Sequence, residues 1–242
     1  MEMNVITNMF VSIKYFLIYM FSLAGVVFLI NKIFGLPREL FRKLLHFIAF
    51  SSVIVMIYTA KNWISASLVP VIIIMLMYPG LVHAEKDKHF TELVVERRKG
   101  ELKSSLLQLF GTIAFIIAIS WGLLGHKELA VAAILMWGFG DAAAALIGKR
   151  FGKHKVLRFN HVDHKKSWEG TAAMSIVAFA FGIASLFIVG NMPMGYCIAA
   201  VVIAAPLAAI TELITRNGYD TVTVPLVCTC SLYLSYMMMG IA

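Results

Sequence analysis

The sequence predicts an all-α fold: a polytopic bundle of about eight transmembrane helices with active-site loops on the cytosolic side. Of the 242 residues, 60% are hydrophobic and only 14% are charged, with a mean hydropathy of +0.85. That is more apolar side chain than a soluble core of this size can bury. The apolar stretches also recur at close to the ~20 residues that a helix needs to cross about 30 Å of hydrocarbon. Lipid offers no partner to backbone N–H and C=O groups, so each crossing segment must satisfy its own, as a helix does. The placement of Lys and Arg then sets the orientation.

In chain order the spans fall at about residues 11 to 33, 42 to 60, 62 to 79, 105 to 124, 128 to 148, 169 to 190, 195 to 214 and 222 to 241. The first is not a secretory signal, because Lys14 interrupts its start and no small-residue cleavage pattern follows before "NKIFGLPREL". Residues 1 to 242 are therefore expected to form a single integral-membrane domain. Cys197, Cys228 and Cys230 all fall inside spans. They read as small packing residues, not as a disulfide framework or a paired C-x-x-C zinc site. The stretch at 80 to 104 alternates acidic and basic residues; it is expected to lie on the membrane as a surface helix, with a lid as the second reading.

The net charge is +8, and in a membrane protein the distribution of basic residues matters more than that total. Lys32, Arg38, Arg42 and Lys43 gather around the first loop. Lys86, Lys88, Arg97, Arg98, Lys99 and Lys103 occupy the third. The fifth holds Lys149, Arg150, Lys153, Lys155, Arg158, Lys165 and Lys166, and the seventh Arg216. Only Lys61 and Lys127 fall in even-numbered loops, with Lys14 near the N-terminus. Basic loops stay cytosolic, so the odd-numbered loops are expected in the cytosol and both termini on the opposite side. The charge is thus directed at membrane lipids and cytosolic anions, with no nucleic acid implied.

An ionised carboxylate inside a span costs roughly 2.5–3.5 kcal/mol at the helix centre unless it meets a cavity, a cation or a metal. This makes Asp141, after "WGFG" in the fifth span, a functional candidate. Gly140, Ala144 and Gly148 recur every four residues beside it, a face that lets a helix or a ligand approach closely. The alternative is a pure packing face with Asp141 paired to a lysine. Beyond Gly148 the chain reads "KRFGKHK" and returns as "DHKKSWEG". Lysines, an arginine and the glycines 148 and 152 near one carboxylate are the parts that a polyphosphate with Mg2+ needs. The P-loop spacing is absent.

Ser167 is placed to cap the sixth helix and aim its N–H groups at the same region. Glu169 lies two residues after it rather than three, so it misses the capping-box register and needs another reason, such as metal coordination or the orientation of a lysine. His161, Asp163 and His164 have unfavourable spacing for a transition metal. "RELFRKLLHF" sets Arg42 and His46 on one helical face with Lys43 between them. "TELITRNGYDTVTVPL" puts Glu212 near the end of the seventh span, Asp220 in the following turn and Pro225 within the eighth span.

The combination of "RKLLHF", "GDAAAALIGKRFGKHK", "KKSWEGT" and a late acidic residue with "DTVTVPL", in this order over about residues 38 to 230, resembles the membrane-embedded CTP-dependent lipid kinases. These include dolichol kinase, phytol kinase and related polyprenol and diacylglycerol kinases. The resemblance implies Mg2+-assisted phosphoryl transfer from CTP to the hydroxyl of a long-chain lipid alcohol in the bilayer. It matches Asp141 to the acidic residue of the central motif, with Lys149, Gly152 and Lys153 in the glycine and basic positions after it. Lys166, Ser167, Glu169 and Gly170 match a K-[ST]-x-E-G element, Arg42, Lys43 and His46 an N-terminal motif, and Asp220 the late aspartate. On this reading Gly148, Lys149, Lys153, Lys165 and Lys166 serve the nucleotide, Asp141 holds Mg2+ with Glu169 or Asp220, and His46 or Asp220 takes the hydroxyl proton.

The chain departs from the usual "DNLTVP" at Thr221, which leaves no amide there. The central motif is also similar to that of phosphatidate cytidylyltransferases, whose C-terminal signature is missing here. A small transporter is the reading from another class, yet the polar residues crowd one surface and no inverted repeat is visible.

Overall fold

The computed structural model of the chain describes residues 5–84, 86, 101–156, 166–215 and 218–241, with the backbone alone at 101 and 102. Among these residues, eight helices are long and apolar enough to cross a membrane, and the protein is an integral, multi-pass helix bundle. The helices are α1 (Val5–Phe34), α2 (Arg38–Thr59), α3 (Trp63–Ala84), α4 (Glu101–Ile117), α5 (Lys127–Phe151), α6 (Trp168–Ile188), α7 (Met194–Ile214) and α8 (Asp220–Met238). A π-helical turn, Ala118–Leu123, extends α4. All eight lie where the apolar spans predict them. The surface helix expected over 80 to 104 falls largely outside the described residues, as do Arg158, His161, Asp163, His164, Lys165 and Arg216.

Helices α3, α7 and α8 carry internal prolines, Pro70 and Pro79, Pro206 and Pro225. Such residues are tolerated in spans because neighbouring helices and hydroxyl side chains satisfy the carbonyls they free. One turn after Pro225, the Thr229 hydroxyl donates back to Pro225 O at 2.9 Å.

The chain packs as two compact units, Met1–Ala118 and Ile119–Ala242. Within the first, Phe28 meets Phe41 edge-on at 5.2 Å between α1 and α2, and Phe16 meets Phe110 at 5.7 Å between α1 and α4. Small polar groups join the same helices: Tyr19 Oη and Ser51 Oγ are 2.6 Å apart, and Thr59 Oγ1 donates to Ser12 Oγ at 3.0 Å. Such bonds suit a bilayer, where packing and hydrogen bonds replace the hydrophobic drive between helices.

The second unit is organised around α5, buried from Leu129 to Gly138. Helix α6 runs antiparallel along it, and glycines set their separation. A Cβ on Gly182 would fall 2.9 Å from Met136 Sδ, one on Gly140 3.0 Å from Met174 Cγ, and one on Gly170 2.9 Å from Ala144 O. The small-residue face of α5 therefore receives α6, and Phe139 stacks on Phe181 at 4.0 Å beside it. Polar groups occur at both ends of this unit. At the N-terminal end of α5, His126 Nδ1 lies 3.1 Å from Glu128 Oε1, and Tyr236 Oη donates to Met192 Sδ at 2.7 Å. The other end holds the candidate site.

Candidate active site

Asp141 lies in the C-terminal half of α5, and the helix continues to Phe151 with Lys149, Arg150 and Phe151 exposed. Gly152 closes the last turn, its N–H donating to Gly148 O at 3.1 Å. The chain then runs antiparallel to residues 166 to 168. Val156 N–H donates to Lys166 O at 3.2 Å and Trp168 N–H to His154 O at 3.1 Å, with Lys155 bridged to Ser167. These contacts hold residues 154 to 156 beside residues 166 to 168.

Ser167 caps α6, as its position predicts: Oγ accepts from Gly170 N–H at 3.2 Å. Ser167 is 3% exposed, and three glycines crowd it. A Cβ on Gly148 would lie 3.2 Å from its Oγ, one on Gly152 2.6 Å, and one on Gly170 3.4 Å. Gly148, Gly152 and Gly170 let Ser167 and the start of α6 approach the end of α5 closely.

Glu169 also has its register explained. Its Oε1 accepts from the Lys153 N–H at 3.2 Å and the His154 N–H at 3.1 Å, and lies 2.7 Å from His154 Nδ1. Of the two roles open to it in the sequence, metal ligand or lysine orienter, the geometry resembles the second, acting on the backbone of Lys153 rather than on its ammonium group. Glu169 is not part of the carboxylate group that forms nearby.

That group consists of Asp141, Glu212 and Asp220, each presenting one carboxylate oxygen within 4.8 Å of the others. Asp141 comes from α5, Glu212 from the last turn of α7 and Asp220 from the first turn of α8. The reversal between α7 and α8 uses Gly218 at φ +81°, a left-handed conformation that costs glycine little. Glu212, rather than Glu169, lies beside Asp141 and Asp220. Sequence reading located it and gave it no role, although an acid within an otherwise apolar span is the same signal that singled out Asp141.

Lys166, expected at the phosphates, faces this group. Its Nζ lies 2.8 Å from Glu212 Oε1, donates to Thr215 O at 3.0 Å and also donates to Glu212 O. Lys149, Arg150, Lys153 and Lys155 remain on the exposed surface of the loop, with the Arg150 guanidinium 5.3 Å from the Phe151 ring centroid. Lys165 lies outside the described residues.

Arg42, Lys43 and His46 belong to the first unit. Arg42 Nη2 donates to Glu39 Oε1 at 2.7 Å, and its Nε is buried with no partner among the described residues. His46 Nδ1 is 2.8 Å from Arg42 O, and Lys43 is buried.

Three carboxylates at this spacing are hard oxygen donors and suit Mg2+, which takes a few carboxylates and completes its octahedron with water or substrate phosphate. Without a cation they would repel one another. Three clustered carboxylates, exposed basic side chains following α5 and a membrane-spanning scaffold are compatible with phosphoryl chemistry on a lipid.

No protein-family profile matches the chain, and no solved structure does. It is similar to a phytol kinase of Synechocystis, at 29% identity over 212 residues, covering 82% of this chain and 80% of the other. The four motifs in order and a similarity spanning four-fifths of both chains support a likeness to phytol/polyprenol kinase-type membrane lipid kinases.

Proposed function

We propose that this protein phosphorylates the hydroxyl of a long-chain lipid alcohol of phytol, polyprenol or dolichol type, with CTP as donor and Mg2+ as cofactor, on the cytosolic side of the membrane. The observation that carries the reading is the meeting of Asp141, Glu212 and Asp220 at the same end of the second unit as the basic loop. The similarity to a phytol kinase supports the class of acceptor; CTP rests on the motif resemblance, and the cytosolic side on the basic loops.

The alcohol oxygen attacks the γ-phosphorus, the bond to the β–γ bridging oxygen breaks, and CDP leaves with the lipid phosphate as the other product. Such transfer depends mostly on positioning and on neutralising the phosphate oxygens. Mg2+ held by Asp141, Glu212 and Asp220 would draw charge from the triphosphate. Lys149 and Lys153, exposed at the rim, supply cations for the remaining oxygens. The hydroxyl proton would go to the Asp220 carboxylate, since Glu212 is engaged by Lys166.

The test is a reconstituted assay with γ-labelled CTP or ATP and a panel of phytol, polyprenol, dolichol and diacylglycerol. Label is expected in an alcohol phosphate from CTP, and Asp141→Asn should abolish it while the protein still inserts. Label from α-labelled CTP alone would indicate CMP transfer, and absence of labelling with every acceptor would overturn the kinase reading.

A further inference from the structure

We infer that Lys166 is a positioning residue that sets the Glu212 carboxylate for a divalent cation, rather than a ligand of the nucleotide phosphates; this rests on the reading above. An ammonium group has three N–H donors. The Glu212 carboxylate, Glu212 O and Thr215 O account for all three at Lys166 Nζ. The two carbonyls belong to the end of α7, where the last C=O groups lack intrahelical partners and positive charge complements the helix dipole.

The backbone of Lys166 is fixed as well. Its carbonyl accepts from Val156 N–H at 3.2 Å, and the next residue is the cap of α6. Its side chain therefore ties the start of α6 to the end of α7. The pair is sheltered, with side-chain exposures of 18% for Lys166 and 9% for Glu212. A carboxylate gripped by such a pair cannot rotate freely, and it lies within 4.8 Å of Asp141 and Asp220.

Groups that orient a metal's ligands typically change metal affinity about 10- to 100-fold when removed. The test is Mn2+ titration of the purified full-length protein by electron paramagnetic resonance, with no nucleotide or lipid present, beside the nucleotide KM in alcohol phosphorylation. Lys166→Met is expected to weaken Mn2+ binding by at least about 10-fold. Nucleotide KM should stay within about twofold, whereas Lys149→Met raises KM and leaves Mn2+ binding unchanged. In a Glu212→Gln background, Lys166→Met should cost no further Mn2+ affinity, because the two act through one contact.

Wild-type Mn2+ affinity in Lys166→Met, or a full additive loss in the double variant, overturns the inference. If Lys166→Met is not recovered folded, Lys166→Arg decides, because a guanidinium fork cannot place three donors at one nitrogen. Reduced Mn2+ affinity in it supports the role, and unchanged affinity overturns it. Mn2+ binding that depends on Lys166 in a protein that labels no lipid would sink the kinase reading alone. Labelled lipid with Mn2+ binding indifferent to Lys166 would sink this inference alone, and a wild type without Mn2+ binding sinks it too.

Discussion

Asp141 and Glu212, carried by α5 and α7, present carboxylate oxygens within 4.8 Å of each other, and Asp220 lies within the same distance of both. Two unit charges at that separation repel by about 3 kcal/mol at an effective dielectric of ~20. Lys166 offsets part of this, and a divalent cation would offset more. Mg2+ or Mn2+ at about 100 times its Kd is therefore expected to stabilise the detergent-solubilised protein by about 2.7 kcal/mol. The effect should appear as a raised midpoint in a tryptophan-fluorescence melt, vanish with EDTA, and shrink in Asp141→Asn and Glu212→Gln. A wild-type melt indifferent to both ions would count against a shared cation.

Gly152 offers a separate check on the packing of the loop. An added Cβ would collide with Gly148 O and lie 2.6 Å from Ser167 Oγ; neither the backbone nor a buried cap can move aside cheaply. Gly152→Ala is expected to destabilise by about 1–3 kcal/mol, the usual cost of overpacking. Gly111→Ala, in α4 with nothing within 4 Å of its Cβ, should be neutral or stabilise by up to about 1 kcal/mol. Melting midpoints in one detergent compare the two, and equal midpoints would argue against the close approach.

Glu169→Ala separates the turn role from a metal role. Without its carboxylate, the Lys153 and His154 N–H groups lose their acceptor, and the rim lysine loses its fixed position. Nucleotide KM should rise by about 10-fold, with Mn2+ affinity within about twofold of wild type. The opposite split, weak Mn2+ binding with normal KM, would return Glu169 to the cation.

These residues show where sequence reading succeeds and where it stops. All eight spans were legible because length and hydropathy alone define a bilayer-crossing helix, and Ser167 because a hydroxyl before an apolar run has few other local uses. The misfit of Glu169 to the capping-box register was legible; its partners at 153 and 154 were not. They depend on an antiparallel stem that no helical periodicity encodes. Glu212 was hidden for a related reason: its significance comes from meeting Asp141 and Asp220, a contact between helices distant in the chain. Gly148, Gly152 and Gly170 were legible as places of close approach, but composition cannot name what approaches: the nearest atoms belong to Ser167, to the start of α6 and to the backbone of α5.

The Ser167 hydroxyl gives the last test of that distinction. It accepts from Gly170 N–H at 3.2 Å and is 3% exposed, so it holds the first turn of α6. Ser167→Ala removes the acceptor and little volume, and it is expected to lower stability by about 1 kcal/mol, the usual value of such a cap. Ser167→Thr keeps the oxygen and should retain most of it. Nucleotide KM in Ser167→Ala, measured below its melting transition, should stay within about twofold of wild type. A variant that melts like wild type but binds nucleotide poorly would mean that the hydroxyl reaches the phosphates after all, and that the backbone N–H of Gly170 finds its acceptor elsewhere.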